Sequence, residues 1–268
     1  FELSHQHQLP VVAPLNEDGV YLEGFDWLSG RSVHDVAEDI FMNLREKDVY
    51  YRKQKYEHRY PHCWRCASEL VYRLVDEWFI DMGKVYDKPR AELTAEEKAG
   101  SLRYQIMDRV DQANWYPSFG YDREMDWLRN MQDWMISKKR YYGLALPIWE
   151  CADCGEYTIF GDEEELREKA LEGWEEFEGH TPHRPFIDAV KIACPNCGSK
   201  VSRIADVGNP WLDAGIVGFS TMHYRVGHDY WRKWYPADWI SESFPGQFRN
   251  WLYSLLAQST VLSVEPTF

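Results

Sequence analysis

The six cysteines of this 268-residue chain all fall in Cys-x-x-Cys pairs: Cys63/Cys66, Cys151/Cys154 and Cys194/Cys197. Two thiolates on one tight turn can reach a single ion, and two such turns complete a tetrahedral shell of four sulfurs. Cys151-Ala-Asp-Cys154-Gly155 and Cys194-Pro-Asn-Cys197-Gly198 have that form, each with a glycine where the turn needs a left-handed residue. Cys154 and Cys194 are separated by 39 residues, more than a zinc ribbon usually spans. Loop closure costs only about 0.6 kcal/mol per doubling of length, so the intervening stretch can be a surface excursion. The expectation is a structural zinc on Cys151, Cys154, Cys194 and Cys197, with no open position for catalysis; free buried thiols or a redox pair are the alternatives. Cys63 and Cys66 supply half a site, to be completed by residues outside this sequence or left without metal. Cysteines used only in such pairs point to metal binding in a cytosolic protein and not to a disulfide framework.

Composition narrows the partners. No stretch approaches the roughly 18 apolar residues of a membrane span, and Phe1 does not open a signal peptide. A cytoplasmic protein with no membrane partner is expected. The net charge of −14 argues at first against nucleic acid, but half of it lies between Asp162 and Glu178, where nine acidic residues meet two basic ones. Basic clusters occur elsewhere, at Arg52-Lys53-Gln54-Lys55 and Lys138-Lys139-Arg140, and RNA contact needs a local basic surface and not a basic average. Solvated surface charge is the plainer reading of either cluster. Some of the 13 Trp and 17 Tyr are core packing; others are available to line pockets or face unpaired bases.

The elements that must position these residues read as alternating strands and helices. Pro10–Ala13 and Val20–Leu22 resemble short strands around a turn at Asn16-Glu-Asp-Gly19. A helix is expected from Ser32, with Val33, Val36, Ala37, Ile40, Phe41 and Leu44 on one face. Leu70–Ile80 is strand-like, Thr94-x-x-Glu97 is a capping box, and Asp122–Ser137 reads as a helix burying Trp127, Leu128, Met131, Trp134 and Met135. Ala237–Ser241 is expected to be a buried strand and Phe248–Leu262 a helix. This pattern implies an α/β sheet with small insertions.

Several segments, in order, resemble isoleucyl-tRNA synthetase, a class I aminoacyl-tRNA synthetase. Tyr60-Pro-His-Cys-Trp-Arg-Cys66 is similar to that family's segment after the editing insertion. Asn114-Trp-Tyr-Pro117 and Asp133-Trp-Met-Ile-Ser-Lys-Lys-Arg-Tyr-Tyr-Gly143 look like its Asn-Trp-x-Pro and Asp-Trp-x-Ile-Ser-Arg-x-Arg-Tyr-Trp-Gly stretches. Trp211-Leu-Asp-Ala-Gly215, Tyr235-Pro-Ala-Asp238 and Gly246-Gln-Phe-Arg-Asn-Trp251 resemble Trp-Phe-Asp-Ser-Gly, Pro-Ala-Asp and Asp-Gln-x-Arg-Gly-Trp. Valine and leucine enzymes share parts of the pattern.

The resemblance implies an internal portion of such an enzyme: the second half of a Rossmann-like catalytic domain, a four-cysteine zinc-ribbon insertion and the tail of a β-rich editing domain. The implied division is 1–60 editing tail, 61–147 catalytic portion with the Cys63/Cys66 knuckle, 148–200 zinc insertion, and 201–268 catalytic portion lining the aminoacyl-adenylate pocket. The family's His-x-Gly-His and Lys-Met-Ser-Lys-Ser motifs do not occur in this sequence, so no catalytic residue is assigned and the chain alone is expected to be inactive. Trp211 and Trp251 match the indoles that flank the isoleucine side chain, facing each other across a pocket at the C-terminal edge of a parallel sheet; without the resemblance both would be read as core. Gln247 matches the adenylate-binding glutamine. Ser243 stands where the family has an adenylate-binding glutamate, and Gly246 where it has an aspartate, leaving the neighbouring Glu242 as the acid for that role.

The implied partners are tRNA, isoleucine and ATP with Mg in a monomeric enzyme that edits mischarged valine. An indole pocket cannot strongly reject an amino acid one methylene smaller, so discrimination stops at roughly 10–200-fold and editing is needed. A valine-type synthetase and a non-catalytic zinc-ribbon RNA-binding module are the competing functions.

Overall fold

The computed structural model describes residues 2–243, 246–262 and 268. It divides into two compact units, one ending at Asp76 and the other beginning at Glu77. Phe1 and residues 263–267, within the terminal parts of the expected division, lie outside the described residues.

The first unit has little regular structure. The turn at Asn16–Gly19 forms as expected: Asn16 Oδ1 accepts from the amides of Asp18 (2.9 Å) and Val20 (3.0 Å). Single bridges join Leu15 to Tyr21 and Val20 to Ser32. The helix runs over Ala37–Glu46 and starts later than Ser32 suggests, because Ser32 is taken by that bridge and its hydroxyl accepts from His34 N–H. Val11 and Val12 lie exposed outside any strand, since apolar residues make a strand only beside a partner.

The second unit is built on three helices, Leu102–Gln112, Phe119–Asn130 and Trp251–Leu262, with the short helix Pro210–Gly215 packed on the last. Ile106, Met107, Val110, Met125, Leu128, Leu252, Tyr253 and Leu256 form their common core. The capping box is present at Thr94, whose hydroxyl accepts from Glu97 N–H while Glu97 accepts from Thr94 N–H, an arrangement worth about 1 kcal/mol. The helix expected over Asp122–Ser137 ends at Asn130, and the chain then turns extended through strands Trp134–Met135 and Ser137–Lys138. The first pairs with Phe79–Ile80 and the second with Val207–Gly208. Two motif residues fix this edge: Asp133 Oδ1 accepts from Met82 N–H (3.0 Å), and Ser137 Oγ accepts from Trp78 N–H (2.7 Å).

The sheets are small. Besides these two pairs there is a hairpin of Ile148–Glu150 with Tyr157–Ile159 and a three-stranded sheet of Ala170–Glu172, Lys191–Ala193 and Lys200–Ser202, and every pairing is antiparallel. The expected parallel arrangement is therefore not found among the described residues. The segment Ala237–Ser241, read as a buried strand, is irregular, with Asp238 and Trp239 exposed. An apolar run needs ladder partners on its flanks to become a strand, and none lies beside this one among the described residues.

Candidate functional site

The clearest constellation is the four-cysteine cluster, built on a lobe with its own core of Trp149, Phe160, Leu166, Phe177, Ile187, Val190, Ile192 and Val201. Trp149 anchors the first knuckle by packing edge-on against Phe160 and donating its indole N–H to Val190 O at 3.0 Å. Arg203, its side chain fully buried, ties the second side down: it contacts Asp188 at 2.5 and 2.8 Å and donates to the carbonyls of Leu146 and Asp206. A buried guanidinium is tolerated only when its donors are satisfied this fully.

Each knuckle closes by the same pair of hydrogen bonds. Cys151 N–H donates to Glu156 O and Gly155 N–H to Cys151 O; Cys194 N–H donates to Ser199 O and Gly198 N–H to Cys194 O, all between 2.8 and 2.9 Å. Gly155 and Gly198 take φ of +73° and +77°, where a side chain is strained. The result brings Cys151 Sγ to 3.5 Å from Cys197 Sγ and Cys154 Sγ to 3.6 Å from Cys194 Sγ, with all four sulfurs within 4.8 Å of one another. Zn–S bonds of about 2.3 Å give a tetrahedron with edges of about 3.8 Å, so the four donors fit a tetrahedral thiolate site. The sulfurs are not alike. Burial pushes Cys151 up to about 12, while the Ser199 hydroxyl and amide beside Cys197 hold it down to about 6. Neutral Cys151 must lose its proton for a metal to bind, and a divalent cation supplies the charge that makes this favourable.

Cys63 and Cys66 form a third knuckle with the same bonds: Cys63 N–H to Ser68 O and Ala67 N–H to Cys63 O, both 2.8 Å. Ala67 occupies the left-handed position at φ +58° that glycine fills in the other two. Cys66 is exposed and lowered to about 7 by the Ser68 hydroxyl, 2.8 Å away. No second pair stands near it among the described residues.

Two clefts carry the other expected residues. The first, about 540 Å³, brings Glu242, Ser243 and Gln247 together with Asn114, Trp115, Tyr116 and Leu252. Gln247 sits on the turn Gly246–Arg249, and its side-chain oxygen accepts from Trp251 N–H at 3.3 Å, capping the helix Trp251–Leu262. Glu242 accepts from the amide (2.7 Å) and hydroxyl (3.1 Å) of Ser243. The second cleft, about 690 Å³, is lined by Trp211, Trp127, Asn209 and Asn250 and by Lys138, Arg140 and Arg249. Indoles beside three cations and a single acid, Asp133, suit a planar anionic ligand.

The family model of class I tRNA synthetases (I, L, M and V) matches residues 30–268. The chain belongs to this family. Among the curated relatives of this class I synthetase segment, isoleucine–tRNA ligase from Methanothermobacter thermautotrophicus is 36% identical over 257 residues, 96% of the chain but 23% of that protein. The isoleucine–tRNA ligases of Archaeoglobus fulgidus and Saccharolobus solfataricus are 33% and 32% identical, over 97% and 98% of the chain and 23% and 24% of their own lengths. The chain thus spans about a quarter of the relatives it matches. No helix among the described residues is long and apolar enough to cross a membrane.

Within this class I synthetase segment the expected site residues divide between places. Glu242 and Gln247 share one cleft and Trp211 lines the other, while Trp251 lines neither and turns its indole N–H onto Ala214 O. The two indoles are not in ring contact, although the helices that carry them pack together. Sequence reasoning missed the helix Leu102–Gln112 and the short helix Pro210–Gly215. The second had a legible signal: Asn209 is its cap, accepting from Trp211 N–H at 3.1 Å, and Pro210 takes the first turn. Lys138 and Arg140, read as a basic cluster and as part of the Asp133–Gly143 motif but not as site residues, line the Trp211 cleft.

Proposed function

We propose that the chain is the segment of an isoleucine–tRNA ligase that joins the structural zinc lobe to the adenylate-binding half of the catalytic domain. The full-length enzyme activates isoleucine with ATP and Mg, charges tRNA(Ile) and removes mischarged valine. It acts as a cytoplasmic monomer. In this reading the zinc rests on Cys151, Cys154, Cys194 and Cys197, and Cys63/Cys66 form half of a second site. Residues 1–60 are the end of the editing domain and 201–268 complete the Rossmann-like half. Gln247 and Glu242 bind the adenylate, and Trp211 and Trp251 flank the isoleucine side chain. What supports the reading above all is that relatives named isoleucine–tRNA ligase match over 96–98% of the chain.

Gln247 has its oxygen occupied by Trp251 N–H and keeps its amide nitrogen for a ligand in the cleft it shares with Glu242. An indole wall gives contact to a branched aliphatic chain without a polar group, at about 0.8 kcal/mol per buried CH2. The test is tRNA charging by the full-length protein with labelled isoleucine, valine and leucine. Charging with isoleucine supports the proposal; stable charging with valine or leucine in its place, or none with any of the three, overturns it.

A further inference from the structure

The helix Pro210–Gly215 is only six residues long, so its last carbonyls have no partner inside it. Two of them are taken by side chains of the neighbouring helix: Trp251 Nε1 donates to Ala214 O at 2.9 Å, and Gln258 Nε2 donates to Leu212 O. Positions 251 and 258 are two turns apart and so lie on one face of Trp251–Leu262. The other end of the short helix is held as firmly. Asn209 N–H donates to Ile136 O (2.7 Å), its amide group donates to Met135 O (3.3 Å), and its side-chain oxygen receives Trp211 N–H. Between the two anchorages Trp211 emerges, half-buried, into its cleft.

Gly215 makes this packing possible. It is buried, and a Cβ there would sit 2.7 Å from Ser254 O and 2.8 Å from Gln258 Nε2. Gln258 is the anomaly that calls for a role. It is 8% exposed on a helix whose buried side is mostly Leu252, Leu255, Leu256 and Ala257, it is far larger than the buried Ser254 beside it, and it lines neither cleft. A buried amide on an apolar helix is disfavoured unless its hydrogen bonds are made, so its place is explained by the carbonyl it holds.

We infer that Gln258 and Gly215 form a clamp that sets the angle of the Trp211 indole and thereby the width of the pocket for the amino acid's side chain. Gln258 is a positioning residue: it touches no ligand and acts through Trp211. The inference rests on the assignment of Trp211 as a wall of that pocket.

The experiment uses the full-length enzyme and ATP–pyrophosphate exchange, with isoleucine, valine and ATP each varied. Gln258→Met keeps the length and removes the donor; Gly215→Ala keeps every donor and wedges the helices apart. Each is expected to raise KM for isoleucine about tenfold, to narrow the preference for isoleucine over valine severalfold, and to leave KM for ATP within about twofold. A melting temperature for each variant identifies one that fails to fold, in which case the other decides. If both folded variants keep the parent's isoleucine KM, or move KM for ATP and isoleucine together, the clamp is overturned. Trp211→Ala separates the two ideas. If it raises isoleucine KM while neither clamp variant does, the pocket stands and the clamp falls. If it leaves isoleucine KM unchanged, the pocket assignment fails and takes the clamp with it.

Discussion

The indole N–H of Trp251 donates to the carbonyl oxygen of Ala214 at 2.9 Å, joining the first residue of one helix to the last turn of another. Both residues stand in motif segments, so the two motifs hold each other in place. Loss of this indole removes a half-buried side chain and leaves a carbonyl unpaired. In the full-length enzyme Trp251→Ala is expected to cost roughly 2 kcal/mol or more in kcat/KM for isoleucine, about thirtyfold, and less for smaller amino acids. Unchanged isoleucine activation in a folded variant would return Trp251 to plain core packing.

The four sulfurs within 4.8 Å of one another predict about one zinc per chain by metal analysis. Cys151→Ser combined with Cys194→Ser should remove it, and a folded wild-type chain free of metal would contradict the assignment. The thiols also set a pH dependence. Cys151, pushed up to about 12, is protonated throughout the neutral range, so each zinc bound releases its proton. Apparent affinity should therefore fall at least about tenfold for each pH unit of acidification. Below pH about 6 the slope should steepen, because Cys197 is then protonated as well. Competition with a chelator across pH measures both slopes; a flat profile between pH 7 and 8 would show that Cys151 carries no proton to lose.

Glu124 offers a different kind of check. It is fully buried on the helix Phe119–Asn130, neither carboxyl oxygen has a hydrogen-bond partner among the described residues, and burial raises its pKa well above the usual carboxylate range. In the unfolded chain a glutamate ionises near pH 4.3. Between that value and the raised folded one, unfolding releases a proton, so this group makes stability fall as pH rises. Glu124→Gln removes the effect. The variant's melting temperature relative to the parent should rise by a few degrees between pH of about 5 and about 7.5. An equal difference at both pH values would mean that Glu124 is already charged in the fold.

The two knuckles at Cys151/Cys154 and Cys194/Cys197 were fully legible, because local spacing and a following glycine determine a turn that needs no distant partner. The same holds for the capping box at Thr94. What failed were the strands at Pro10–Ala13 and Ala237–Ser241, the parallel sheet and the long helix through Ser137. Strand formation depends on neighbours brought from elsewhere, and residues 131–138 are pulled extended by pairing with Phe79–Ile80 and Val207–Gly208. The candidate site was legible as residues but not as geometry. Nothing in the spacing of Trp211, Glu242, Gln247 and Trp251 shows that two clefts share them, or that Gln258 reaches Leu212.

The sequence holds neither a His-x-Gly-His nor a Lys-Met-Ser-Lys-Ser motif, the groups that hold ATP phosphates in this family. Without them positioning and charge stabilisation are both lost. The isolated chain should therefore show no isoleucine-dependent ATP–pyrophosphate exchange above background, even when fully loaded with zinc. Measurable exchange by the isolated chain would mean that its own residues bind and activate ATP.

The most direct measurement for the account as a whole is ATP–pyrophosphate exchange by the full-length protein with each of the standard amino acids in turn. Isoleucine should give the highest kcat/KM, and valine should follow at roughly 10–200-fold less, the limit set by one methylene in an indole-walled pocket. A higher kcat/KM for valine, leucine or methionine than for isoleucine, or no amino-acid-dependent exchange at all, would contradict it.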